Sequence, residues 1–127
     1  MNEFDPASKK HGVSHLAAAA NYSLGGLKVA FKETAFRHEL AAAAAILLVY
    51  LAIGAGPLAY VGSLCLFLVT LSVEALNTAI ELVVDRTSPE ISKFGKDAKD
   101  LGSFAVFCLL VANGIFTCWV LWTTLAA

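Results

Sequence analysis

The sequence has 127 residues, of which 58% are hydrophobic and only 15% are charged, and its formal net charge is −1. Soluble domains usually carry about 25% charged residues, and a mean hydropathy of +0.72 is typical of a chain that lies in lipid. The composition therefore excludes an ordinary soluble domain. It also gives no basis for nucleic-acid binding, which depends on a basic surface. The length fits one domain over residues 1–127.

The first predicted element is a helix over about residues 13–32, in which apolar and polar residues are mixed. Its basic residues include Lys28 and Lys32, which suit the anionic headgroups of a membrane. A helix of this composition often lies in the plane of the interface. We therefore predict an amphipathic N-terminal surface helix.

Three apolar segments follow and predict transmembrane helices over about residues 35–53, 58–84 and 101–125. A spanning helix needs about 20 residues, and the second and third segments exceed that length. The first reaches it only if the helix begins near Ala35 and continues to the break at Gly54. The fold class that we predict is an all-α membrane protein with three transmembrane helices.

The basic residues predict the orientation of these spans. All nine Lys and Arg residues lie before the first span or between the second and third. Because cytoplasmic loops collect Lys and Arg, we expect the N-terminus and the long loop to be cytoplasmic and the C-terminus to be outside. Within that loop, Ser88 and Pro89 predict the start of a further helix, since Ser is a favoured N-cap and Pro suits the first helical position.

The second span carries four polar residues, Glu74, Asn77, Glu81 and Asp85, in an otherwise apolar sequence. At about 100° per residue they lie within roughly 60° of one another and form one stripe on the helix. Glu74 lies about 10 Å deeper than Glu81, and Asp85 lies about 6 Å nearer the cytoplasm. A carboxylate inside a membrane is costly and usually marks a functional site, so we expect the chemistry at this stripe.

Further charged residues reach the same interface: Glu33 and Glu39 before the first span, and Lys99 and Asp100 before the third. Carboxylate oxygens favour Mg²⁺, Lys99 offers a cation for phosphate, and Glu74 can accept a proton. This combination fits phosphoryl transfer, in which positioning and charge neutralisation do most of the work. Each of these residues also has a simpler interpretation when it is considered alone. The interfacial acids could be solvated surface charges, and Lys99 could be a lysine whose stem lies in lipid while its ammonium group reaches water. Glu74 would need a buried partner for a purely structural role.

These motifs resemble the small prokaryotic diacylglycerol kinase family, which also contains undecaprenol kinases. The resemblance rests on Glu74-Ala-Leu-Asn77-Thr-Ala-Ile-Glu81-Leu-Val-Val-Asp85-Arg86, on Lys99-Asp100-Leu-Gly-Ser103, on Tyr22-Ser23 and on Glu33-Thr-Ala-Phe36-Arg37-His-Glu39. It implies a homotrimer of three-helix subunits, each with an amphipathic surface helix. It also implies that MgATP is used to phosphorylate a lipid hydroxyl at the cytoplasmic face of the bacterial inner membrane.

The resemblance further implies roles for individual residues. Glu74 would be the general base that takes the proton from the lipid hydroxyl, and Glu33 and Glu81 would hold the Mg²⁺ that bridges the ATP phosphates. Asn77 and Asp85 would support this site. The nucleotide would contact His15, Tyr22, Glu33, Glu81, Glu90, Ile91, Ser92, Lys99 and Asp100. The lipid substrate would lie near Ala35, Phe36, Arg37, His38, Glu39, Glu74 and Ser103.

The chain departs from the family pattern near its N-terminus. His15 stands where relatives have an Arg about seven residues before the Tyr-Ser pair, and Leu24 stands where many have Trp. The motifs around Arg37 and Lys99 look more like those of Gram-negative diacylglycerol kinases than those of undecaprenol kinases. The expected reaction is therefore phosphorylation of diacylglycerol to phosphatidic acid in phospholipid recycling.

Two alternatives stay open at this point. One is an undecaprenol kinase of the same family, and the other is a non-enzymatic membrane assembly whose inward acids line a cation path. Such a path needs polar groups along all three spans, whereas here they concentrate in the half predicted to be cytoplasmic. Asn113 is the exception, and we expect it to bond across a helix interface.

Overall fold

The computed structural model describes residues 12–90 and 92–127. These residues form four α-helices: α1 (Val13–Ala30), α2 (Thr34–Ile53), α3 (Pro57–Thr87) and α4 (Lys93–Leu125). In this part of the chain, α2, α3 and α4 are long and apolar enough to cross a membrane. The prediction of an all-α protein is therefore confirmed, and three of its helices have the length and apolar composition expected of membrane spans. The placement of α1 on a membrane surface stays a prediction.

The largest departure from the predicted boundaries is at α4, which begins at Lys93 rather than near residue 101. Most of the predicted loop is thus helical and continuous with the third span. The predicted helix start at Ser88 and Pro89 is wrong, because the Ser88 amide still donates to Val84 O (2.8 Å) and so closes α3. Ser92 is the N-cap of α4, and its Oγ accepts from the Gly95 amide at 3.0 Å.

The remaining boundaries shift by only a few residues. α1 ends two residues before the predicted end at residue 32, and α3 extends the predicted span of 58–84 at both ends. α2 ends at Gly54, whose φ of 67° is left-handed backbone that favours glycine. Pro57 occupies the first turn of α3, where its missing N–H costs nothing.

The spans pack as a helix pair, α3 with α4, against which α2 lies. At the turn end of the bundle, near Gly54, a small core contains Tyr50, Ala59 and Val120. Gly62 lets Phe116 lie against α3, because a Cβ at that glycine would overlap the phenyl ring. The opposite end, which we call the site end, contains the first turns of α2 and α4 and the last turns of α3.

Candidate active site

The polar stripe of α3 passes from buried to exposed along the helix at the site end. Glu74 and Asn77 are 7% and 8% exposed, Glu81 is half-buried and Asp85 is exposed. This gradient follows the order of depth expected from the helical rise. Glu74 is therefore the carboxylate that is best shielded from water, and the other two acids lie nearer the end of the helix.

Glu39 on α2 brings a second carboxyl group to Glu74. The two carboxyl groups are direct neighbours, and Glu39 Oε2 is buried without a donor among the described residues. Two carboxylates side by side repel each other unless a donor lies between them. The pair is therefore suited to hold a hydroxyl group and to accept its proton.

Glu33 and Glu81 lie close enough to Glu74 to interact with it electrostatically. Glu33 is the N-cap residue of α2, but its side chain makes no capping hydrogen bond, so the carboxylate is not used to begin the helix. Glu81 Oε1 accepts from Asn77 Nδ2 at 3.2 Å. At the site end, three acids, Glu33, Glu39 and Glu81, thus lie within electrostatic range of Glu74.

A metal site made by the protein alone is absent from residues 12–90 and 92–127, in which no three His, Cys, Asp or Glu side chains are placed to hold an ion. Mg²⁺ usually keeps several waters and binds through one or two carboxylates together with substrate phosphates. Glu33 and Glu81 supply the hard oxygen donors that such an ion needs. The donor set therefore fits Mg²⁺ bound together with a nucleotide.

Asn77 connects this cluster to α4. Its amide donates to Glu81, while Asn77 Oδ1 is buried with no donor in the described chain. A Cβ at Gly102 would overlap this oxygen, so α4 can approach only because residue 102 is a glycine. Sequence reasoning missed Gly102, although a glycine inside a helix is a recognised sign of close packing.

Lys99 joins α4 to the outer part of the stripe. Its Nζ lies 2.5 Å from Asp85 Oδ1, and the two side chains are 40% and 64% exposed. Asp100, the next residue, pairs with Lys96 on the same helix. Exposed pairs of this kind are weak, so a phosphate group could replace Asp85 as the partner of Lys99.

Several predicted site residues lie outside this cluster in the single chain. Tyr22 is 81% exposed, and Phe36 is buried with its ring edge-on to Phe31 (5.2 Å between centroids), so this side chain is used in packing. Arg37 donates to Thr34 Oγ1 at 3.4 Å, and Ile91 lies outside the described residues. The other exposed members are His15, Glu90, Ala35, His38 and Ser103, whereas Ser92 is half-buried.

An apolar groove of about 320 Å³ runs from Glu39 along α2 to Tyr50, facing α3 and α4. Asn113 lies in its wall and donates to Thr70 Oγ1 at 2.8 Å, which confirms the predicted bond across a helix interface. Sequence reasoning did not find the groove or the hydrogen bond between Tyr50 and Ser63 (2.9 Å). The only signal was a run of small alanines at residues 41–45.

Comparison of the sequence with known proteins identifies the family of the chain. The sequence profile of the prokaryotic diacylglycerol kinases matches residues 21–121. The chain belongs to the prokaryotic diacylglycerol kinase family. The diacylglycerol kinase of a Sinorhizobium species is 54% identical over 94% of this chain and 88% of its own length. Those of Haemophilus influenzae and Escherichia coli K12 are 40% and 33% identical, over 84% and 92% of this chain and 92% and 97% of their own lengths.

Membership of the diacylglycerol kinase family confirms the resemblance read from the motifs and makes the chain an enzyme, a membrane lipid kinase. The family match includes α2, α3 and the site end of α4, and thus the four acids and Lys99. His15 lies before the first matched residue. A non-enzymatic assembly is not supported by these findings.

Proposed function

We propose that this enzyme transfers the terminal phosphoryl group of ATP to the free hydroxyl of diacylglycerol and so forms phosphatidic acid. Relatives named diacylglycerol kinase, up to 54% identical over most of the chain, support this substrate class. The observation that carries the proposal is the buried Glu74 carboxyl beside Glu39, at the head of an apolar groove. A lipid hydroxyl can reach this position while its chains stay in apolar surroundings.

In the proposed reaction the lipid hydroxyl lies between Glu39 and Glu74. Glu74 accepts the proton as the lipid oxygen bonds to the γ-phosphorus, and the bond from phosphorus to the β–γ bridging oxygen breaks, so that ADP leaves. Glu39 Oε2, which has no donor in the described residues, shares the single hydroxyl proton with Glu74 in a bifurcated hydrogen bond before the transfer, and so orients the hydroxyl. A base positioned in this way contributes about 10²- to 10⁴-fold to the rate.

Mg²⁺ is the cofactor that we propose, held by Glu33 and Glu81 together with the ATP phosphates. The bond from Asn77 to Glu81 fixes the direction of that carboxylate. Bound Mg²⁺ would supply positive charge that offsets the charge of the phosphate oxygens. Because the ion needs only one or two protein carboxylates, these two acids are sufficient.

The nucleotide contacts that we propose come from three parts of the chain. Lys99 would exchange Asp85 for a phosphate, and Asp100 would lie beside it. Glu90 and Ser92 would contribute from the connection before α4. Tyr22 and His15 would reach the nucleotide from α1, which contacts α3.

We propose that the reaction takes place at the cytoplasmic face of the bacterial inner membrane. The distribution of basic residues supports a cytoplasmic N-terminus and a periplasmic C-terminus, with α1 on the membrane surface. We also propose a homotrimer. Small residues such as the alanines at 41–45 allow close contact between helices in a membrane, and large apolar side chains such as Leu68 remain exposed in the single chain.

The experiment that tests the substrate is phosphorylation by the purified protein in detergent, with ATP and Mg²⁺. Diacylglycerol and undecaprenol are offered in parallel at equal mole fraction in the micelles. We expect phosphatidic acid as the main product. Preferred formation of undecaprenyl phosphate would replace the proposed substrate with the alternative one, and no product from either lipid by a folded protein would contradict the proposed function.

A further inference from the structure

The groove between α2 and the α3–α4 pair has a defined beginning and end. It begins at Glu39, next to the Glu74 carboxyl, and ends at Tyr50. These two residues are eleven positions apart on α2, which corresponds to about 16 Å at the helical rise per residue. The groove therefore runs from the site end of the bundle towards the turn end.

The wall of the groove suits a hydrocarbon rather than a polar ligand. Most of its lining is apolar, including Leu47, Phe67 and Leu110. Two polar side chains along the wall use their donors within the protein. Thr70 donates to Leu66 O (2.7 Å), and Asn113 donates to Thr70 (2.8 Å) and to Leu109 O (2.7 Å). Thr70 and Asn113 thus have no further donor to offer a ligand.

The volume of the groove distinguishes an acyl chain from a protein helix. The groove is open along one side, and its volume is about 320 Å³. A hydrocarbon chain at van der Waals contact is about 4 to 5 Å wide and can lie along the groove. A helix with its side chains is about 10 Å across, and about 16 Å of it would occupy roughly 1,250 Å³, well above the volume of the groove.

The floor of the groove is held firmly. Tyr50 is 1% exposed, its hydroxyl bonds Ser63 Oγ at 2.9 Å, and its ring meets that of Tyr60 edge-on at a centroid distance of 5.8 Å. Ala59 and Val120 pack with it in the small core at the turn end. With these contacts on several sides, the ring cannot move aside without breaking a hydrogen bond and an aromatic contact.

We propose that Tyr50 sets the length of acyl chain that the groove receives, and so acts as a specificity-determining residue. This inference rests on the proposed function, since it needs the lipid hydroxyl to lie at Glu74. An extended chain advances about 1.3 Å per carbon because its C–C bonds of about 1.5 Å zigzag. A groove of about 16 Å measured from the hydroxyl therefore holds roughly 12 chain atoms. About four of these are the hydroxyl oxygen, two glycerol carbons and the ester oxygen, so roughly 8 acyl carbons lie before the Tyr50 ring.

The test is a series of diacylglycerols with two identical saturated chains of about 4 to 16 carbons, assayed at equal mole fraction in one detergent. For the wild-type protein we expect kcat/KM to rise with chain length and to level off near about 8 carbons. In Tyr50→Ala the floor is lost, and we expect the plateau to move to longer chains by about four carbons, the length of the removed ring at roughly 1.3 Å per carbon. Leu51→Ala is the matched control, because Leu51 is 61% exposed and does not line the groove.

Ala43→Leu tests the same groove without removing a core side chain. Ala43 lies in the wall one helical turn from Glu39, so a larger side chain there should move the plateau to shorter chains. An unchanged chain-length profile in active Tyr50→Ala and Ala43→Leu proteins would overturn the inference. An unchanged profile together with an altered oligomeric state would assign the groove to a second copy of the chain. That outcome would also overturn the inference. Failure of the wild-type protein to phosphorylate any diacylglycerol would instead overturn the proposed function.

Discussion

The carboxyl group of Glu39 on α2 lies directly against that of Glu74 on α3. This contact brings the motif before the first span to the deepest acid of the second span. The neighbour of Glu74 is thus another carboxyl group. A carboxylate with a purely structural role would instead be expected to lie beside a cation or a hydrogen-bond donor. The arrangement is costly for the protein alone and becomes favourable when a hydroxyl lies between the two groups.

Glu39→Gln should therefore impair use of the lipid more than use of ATP. The new amide would donate to Glu74 and occupy the place of the substrate hydroxyl. We expect kcat/KM for diacylglycerol to fall about 10- to 100-fold, the order associated with misplacing a reacting group, while KM for ATP changes little. Steady-state kinetics with each substrate varied in turn measure this, with Asp97→Asn as a control at an exposed acid. Equal losses for both substrates would contradict the orienting role.

Gly102→Ala should destabilise the contact between α3 and α4. A methyl group at this position overlaps Asn77 Oδ1, and relieving the overlap requires the helices to separate or Asn77 to release Glu81. We expect a loss of about 1 to 3 kcal/mol in the free energy of unfolding. The midpoint of unfolding in detergent measures the change.

Gly114→Ala is the matched control for Gly102→Ala in the same helix. A Cβ at Gly114 meets no atom within 4 Å, so this substitution should be neutral or stabilise α4 by up to about 1 kcal/mol, the difference in helix propensity. Equal destabilisation by both substitutions would mean that the Asn77 contact does not limit the approach of α4.

Lys99→Met should weaken ATP binding rather than the fold. Its partner Asp85 is 64% exposed and can be solvated when the lysine is lost. If Lys99 bonds a phosphate in the complex, its removal should raise KM for ATP roughly 10- to 100-fold, the order for a hydrogen bond to a charged group. Lys93→Met serves as the control, because Lys93 pairs with Asp97 on its own helix. An unchanged KM for ATP in Lys99→Met would remove Lys99 from the nucleotide site.

Asn113→Leu should have only a small effect on stability. Its bond to Thr70 joins α4 to α3, but bonds of this kind in membrane proteins average about 0.6 kcal/mol. Thr70 keeps its own bond to Leu66 O after the substitution, so no donor is left unpaired. We expect a loss below about 2 kcal/mol in unfolding experiments. A larger loss would indicate that the amide supports more than this one interface.

Local sequence patterns predicted most of this fold because each membrane span depends on its own apolar length. The polar stripe of α3 was likewise predictable, since helical spacing alone places Glu74 and Asn77 on one face. The start of α4 was not, because Ser88 and Ser92 are both good N-caps and only the hydrogen bond that closes α3 at Ser88 decides between them.

Contacts between helices account for the rest of what the sequence left undetermined. Gly102 and the groove ending at Tyr50 arise where two helices approach, and their partners are far apart in the chain. The periodicity of residues within one helix does not predict which residues of two helices will meet. The Glu39–Glu74 contact belongs to the same class. Sequence reasoning placed Glu39 at the same interface as the α3 stripe, but the direct contact between the two acids appears only in the structure.

The most direct test of the central claim is the rate of phosphatidic acid formation by Glu74→Gln, measured beside the wild-type protein and Asp97→Asn in the same micelles. The account predicts a folded protein with the wild-type unfolding midpoint and turnover lower by at least about 10²-fold, the lower range for loss of a general base. Asp97→Asn should keep wild-type turnover. A folded Glu74→Gln protein with full activity would contradict the assignment of Glu74 as the base.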